Sequence, residues 1–195
     1  LQFLDAVHRF LERLSRIAVW IGGAGLLICA IMVTVDVFSR KFLSITMSGS
    51  DEYTGYVFAA ATTWAYSYVV LHRSNVRIDA LYNLLPMPVR AVLDIFGLIL
   101  LLIFISVLLY LATNVFATSW RQGSVAITAL ATPLWIPQLA WLLGLWLLEI
   151  TLIFVIIHAT VALLSGDVLK VQALAGTMSI QDEIREETRG MGLDN

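Results

Sequence analysis

The sequence predicts an all-α, polytopic integral membrane protein with four transmembrane helices and an N-terminal amphipathic helix at the membrane interface. Composition is the first reason: 59% of the 195 residues are hydrophobic and 13% charged, against roughly 45–50% and 25% in soluble domains. The mean hydropathy is +0.87. The second reason is that the apolar residues gather into four runs, each able to cross about 30 Å of hydrocarbon, which takes about 20 helical residues. The third is exclusion. A net charge of -2 with scattered Lys and Arg leaves no basic stripe for nucleic acid. A single cysteine, Cys29, excludes disulfide and thiolate-cluster chemistry. Neither a catalytic residue nor a metal site is assigned, and no cofactor is expected.

Residues 1–16 carry Leu4, Val7, Leu11 and Leu14 at helical spacing, with Arg9, Glu12, Arg13 and Arg16 on other faces. That is the pattern of a helix lying among lipid headgroups; the alternative is an extension of the first span. The domain of four spans covers residues 17–165. Its first run, Ile17 to Phe38, contains only Asp36 as a charge. It is longer than a signal-peptide core and ends without a small-residue cleavage site, so it reads as a retained span. The second, Tyr53 to Leu71, is rich in Ala, Thr and aromatics and is preceded by Asp51 and Glu52.

The third run, Ile95 to Ala117, follows Pro86 and Pro88, which mark a turn. Having no charge, it tolerates Ser106, Tyr110, Thr113 and Asn114. The fourth begins after Pro133 and Pro137 and continues to Leu164 with Glu149 inside it. Residues 166–195 read as a polar cytoplasmic tail, with a helical pattern from Ser179 to Arg189.

Orientation follows from the retention of Lys and Arg on the cytoplasmic side. One side holds Arg9, Arg13, Arg16, Arg73, Arg77, Arg90 and Lys170; the other holds Arg40, Lys41 and Arg121. Seven against three places both termini in the cytoplasm. The outer segments are then Ser39 to Glu52 and Thr118 to Pro133.

Several residues are candidates for contact. Ala18, Gly22, Gly25, Cys29 and Asp36 share one face of the first span, and small residues let another backbone come close. Gly55, Ala59 and Thr62 form a similar seam on the second. The two spans are expected to pack as a hairpin closed by Arg40 with Asp36, Asp51 or Glu52. Asp36 and Arg40, spaced i,i+4, can also simply neutralise each other.

Gln138, Glu149 and Thr160 recur every eleven residues and make a polar stripe on the fourth span that protein should cover. An ionisable residue deep in a span marks either a pathway or a buried hydrogen-bonded contact; for Glu149 the structural reading is preferred. With Gly22 and Gly25, these three are the expected subunit-interface residues.

The segment Ser74-Asn75-Val76-Arg77-Ile78-Asp79, followed by Leu84-Leu85-Pro86, resembles the hallmark of the small membrane subunit of tripartite ATP-independent periplasmic (TRAP) transporters. That family usually shows Gly-His where this chain has Ser74-Asn75. The resemblance extends to Asp36-Val37-Phe38-Ser39-Arg40, to Asp51-Glu52 and to Thr132-Pro133-Leu134-Trp135-Ile136-Pro137, in order between residues 17 and 165.

It implies a non-enzymatic, four-helix subunit that moves no substrate itself. Its expected partners are a large membrane permease subunit, which carries the substrate and sodium sites, a periplasmic substrate-binding protein that delivers organic acids, and membrane lipid. Under this reading Arg77 and Asp79 form a structural pair on the cytoplasmic side, and Arg121, the only cation of the second outer segment, is the candidate docking residue for the binding protein. The rival readings are a haem-carrying anchor of a respiratory complex, for which His72 and His158 are the candidate ligands, and a small multidrug-type exporter, which needs a carboxylate in the middle of span one rather than at its edge.

Overall fold

A computed structural model describes residues 2–74, 82, 85–128 and 130–176, without the side chains of residues 2, 3 and 5. Arg77, Asp79 and the proposed helix at 179–189 lie outside the described residues. The fold there is all helical: α1 (Gln2–Leu43), α2 (Ser50–Leu71), α3 (Met87–Gln122), α4 (Trp135–Leu164) and α5 (Val168–Ala175). Among the described residues there is no β-strand, only an isolated antiparallel bridge between Val125 and Pro133.

Three helices, α1, α3 and α4, are long and apolar enough to cross a membrane. Helix α2 has 22 residues, and its Ala, Thr and Ser content holds its hydropathy below theirs. Helix α1 is unbroken over 42 residues, about 63 Å at 1.5 Å per residue. The amphipathic stretch and the first span are therefore one continuous helix, and neither Pro nor Gly interrupts it near residue 16.

The helices stand in a row in the order α1, α2, α4, α3, each packing on its neighbour, while α5 packs across α3 and α4. Two clusters form the core. The larger joins Leu11, Val70, Ala91, Ile95, Leu152, Val155, Ala159, Val171 and Ala175 at the end where α1 begins, here called the near end. The smaller joins Leu109, Ala112, Leu142 and Leu145 toward the far end.

The near end departs from the expected solvated tail. Val171 and Ala175, spaced i,i+4, put one apolar face of α5 into the core, and both are buried. Asp167 starts this helix by accepting a hydrogen bond from the Lys170 amide at 3.0 Å. Arg73 reaches the Gln172 carbonyl at 3.1 Å, which ties the end of α2 to α5.

Candidate functional site

Close approach of α1 and α2 is set by glycine. A Cβ on Gly22 would lie 3.1 Å from Cα and Cβ of Ala61, and one on Gly25 would lie 3.1 Å from Cγ1 of Val57. The seam read on α1 thus packs inside the subunit, against α2. The matching seam on α2 needs correcting. Gly55 faces open space, and the surface that meets α1 carries Val57 and Ala61 instead, roughly on the opposite side of the helix at 100° per residue. Small size alone could not tell which face of α2 turned inward.

At the far end the hairpin is closed by Asp36, which is 1% exposed. Its carboxylate pairs with Arg40 one turn on, and accepts from the Met47 amide at 2.7 Å and the Ser50 hydroxyl at 3.0 Å. One carboxylate therefore joins the end of α1, the 44–49 loop and the first residue of α2. Arg40 meets Asp36 within its own helix, the neutralising arrangement, rather than pairing across to Asp51 or Glu52. A positive φ of 96° at Gly49 turns the chain, and a Cβ there would strike Leu130 Cδ1 at 2.1 Å. Leu130 of the α3–α4 loop thus sits on the α1–α2 loop.

Glu52 makes a second link between these loops. Its Oε1 accepts from the Tyr56 hydroxyl at 2.8 Å, and the hydroxyls of Thr128 and Thr132, with that of Tyr56, hold this carboxyl below the usual range against the opposing effect of desolvation. Glu52 lies just before the span, and its Oε2 is buried without a hydrogen-bond partner. Asp51 is exposed.

The α3–α4 loop is a short folded strap. The Ala126 amide donates to the Thr132 carbonyl at 2.9 Å and the Leu134 amide to the Ser124 carbonyl at 3.0 Å. Ile127 is fully exposed at its tip. Arg121 is exposed in the last turn of α3. Trp120 and Trp135 close the base of the strap edge to face, 4.9 Å between centroids, an aromatic pair of the kind that marks a membrane interface.

Glu149 projects toward α3, where the Ser106 hydroxyl lies 2.6 Å from its Oε1. Ser106 also bonds the Leu102 carbonyl at 2.8 Å, so the contact is anchored in the α3 backbone. The other carboxylate oxygen, Oε2, is buried without a hydrogen-bond partner. Thr160 bonds back to the Ile156 carbonyl at 2.7 Å, and the Oε1 of Gln138 is buried without a hydrogen-bond partner. The stripe is covered at Glu149 by α3 of the same subunit.

Gly144 was not singled out in the sequence, yet it is the tightest point between α2 and α4. A Cβ there would lie 2.4 Å from Thr63 Oγ1 and 2.8 Å from the Thr63 carbonyl carbon. Beside it Trp64 Nε1 donates to the Ala140 carbonyl at 2.7 Å. The available signal was Ala140 four residues before Gly144, a small pair at helical spacing that lets another backbone come close.

The two histidines named as haem candidates sit in different surroundings. His72 caps α2, stacked on Tyr68 at 3.8 Å, and His158 is buried against Phe154. Among the described residues no group of three His, Cys, Asp or Glu side chains is placed to hold a metal ion.

Compared with protein families, residues 28–166 match the family described as Tripartite ATP-independent periplasmic transporters, DctQ component. The chain belongs to that family. The match runs from Ile28 in α1 through the end of α4, so it takes in the Asp36 staple, the strap and Glu149. No curated protein and no solved structure matches the chain. As a DctQ-family subunit with membrane-spanning helices, it is a component of a TRAP transporter in the inner membrane.

Proposed function

We propose that this DctQ-family chain is the non-transporting small subunit of its transporter, a four-span scaffold for the large permease subunit that also helps dock the periplasmic binding protein during sodium-coupled uptake of an organic acid. The observation that carries the reading is where its polar groups are spent. A subunit that moves a polar solute requires broken helices and convergent polar groups near the midplane. Here α1 to α4 are each continuous, Glu149 is bonded through Oε1 to Ser106, and Asp36 is committed to its loop.

Helix α2 is the fourth span. From Tyr53 to Leu71 it reaches about 28 Å, and packing against α1 and α4 on two sides compensates for its lower hydropathy. With both termini cytoplasmic, the strap at 123–134 is periplasmic. Its neutral Ser and Thr groups and exposed Ile127 suit a protein partner, since they can be covered without desolvating a buried charge, and Arg121 at its base supplies one cation for docking. The residues facing the permease are those the row of helices leaves open, including the Gly55 face of α2.

The test is reconstitution. The chain alone in liposomes is expected to show no sodium-driven uptake of any organic acid, and uptake is expected to require the large subunit and the binding protein together. Transport by the purified chain alone would refute the scaffold reading. In the complete system, Arg121→Glu should weaken binding-protein-dependent uptake while co-purification with the permease persists.

A further inference from the structure

Near the start of the membrane region α1 and α4 meet through His8 and Phe154, 6.1 Å between ring centroids. Further along they stand apart, and a groove of about 450 Å³ opens between them, walled by Leu14, Ile17, Ile21, Trp146 and Ile150 and floored by Trp64 of α2. The lining is apolar, so the groove by itself offers nothing but hydrocarbon contact. What selects its occupant is the charge at its mouth. Arg9 and Arg13 lie just before Leu14, exposed, and enter no ion pair among the described residues. Arg16 on the next turn is tied to Glu12 at 2.7 Å.

We propose that this groove is a binding site for one anionic phospholipid, its acyl chain lying between α1 and α4 and its phosphate meeting Arg9 and Arg13. Both halves of the site match that chemistry. Basic side chains beside an apolar cleft at the membrane boundary attract anionic headgroups, and the groove begins where span one enters the hydrocarbon. A flexible acyl chain can follow the groove's walls without moving α1, and the two cations beside it favour an anionic headgroup over an apolar partner helix. The site rests on α1 spanning the membrane and would tie α1 to α4 where the two make little contact of their own.

The experiment uses the full chain in liposomes containing phosphatidylglycerol or phosphatidylcholine with identical acyl chains bearing a photoactivatable diazirine, and maps adducts by peptide mass spectrometry. Phosphatidylglycerol adducts are expected to concentrate in residues 14–21 and 143–150. They should fall about fivefold for each of Arg9→Gln and Arg13→Gln, changes on an exposed surface that leave the fold intact. Ile17→Trp, which fills the groove from its open side, should remove adducts of both lipids from these segments with unchanged circular dichroism. Equal labelling by the two headgroups, labelling spread evenly over the exposed helix faces, or groove labelling abolished when the large subunit is present would each overturn the proposal. The absence of adducts anywhere on the chain would refute the membrane placement of α1 itself.

Discussion

The α1–α2 and α3–α4 hairpins solve one problem in two ways. In the first, glycines at 22 and 25 bring backbones into contact with Ala61 and Val57, and the polar groups are confined to the loop, where Asp36 gathers three donors. In the second, large side chains such as Leu109, Leu142 and Leu145 pack together, and a polar bridge from Ser106 to Glu149 crosses the interior. Lipid tails are as apolar as Leu, so burial drives neither pairing within the membrane; close packing and hydrogen bonds must. The first hairpin relies on backbone proximity and should resist polar substitutions but not added bulk. The second should show the reverse.

The largest effect is expected where the two hairpins join. Gly144→Val places methyl groups where even a Cβ meets the Thr63 backbone, and overpacking against a helix that cannot retreat should cost about 3 kcal/mol, the upper end for such changes. Loss of the thermal transition in detergent is the expected readout, and a stable Gly144→Val protein would mean that α2 and α4 can slide apart.

Next comes Gly22→Leu, expected to cost about 2 kcal/mol, set beside Gly55→Leu. Gly55 faces open space, so its substitution should leave the melting temperature of the isolated chain unchanged and reduce co-purification with the permease. Equal melting temperatures for the two variants would erase the distinction between an internal and an open seam.

Asp36→Asn should do less globally, since α1 and α2 keep their contact. Weakening the bonds to Arg40, Met47 and Ser50 should show as faster amide exchange across residues 44–50, with the rest of α1 unaffected. The smallest effect is expected for Glu149→Gln. The amide still bonds Ser106, and interhelical hydrogen bonds in membranes average about 0.6 kcal/mol, so stability and transport in the complete system should hardly move. Glu149→Lys should prevent assembly, because a cation at that depth costs about 2.5–3.5 kcal/mol on insertion scales. Transport abolished in an assembled Glu149→Gln complex would move ion coupling into this subunit.

Length, apolar periodicity and the placement of Pro and Gly were enough to read α4, the small face of α1 and the apolar middle of α3, whose ends run on to Met87 and Gln122 beyond the expected Ile95 and Ala117. Those features are properties of one helix at a time: a run must be apolar to cross lipid, and residues three and four apart must share a face. The glycine seam on α1 and the i,i+4 pairing of Asp36 with Arg40 were legible for the same reason. Partnership between helices was not. Whether α2 turned Gly55 or Ala61 toward α1, that Gly144 would be the tightest crossing, that Leu130 would cap Gly49, and that Val171 and Ala175 would fold back into the near end all depend on which surfaces meet. A helix carries several faces on which small or apolar residues are permitted, and only the packing of all of them at once, with α2 held between α1 and α4, decides which face is buried.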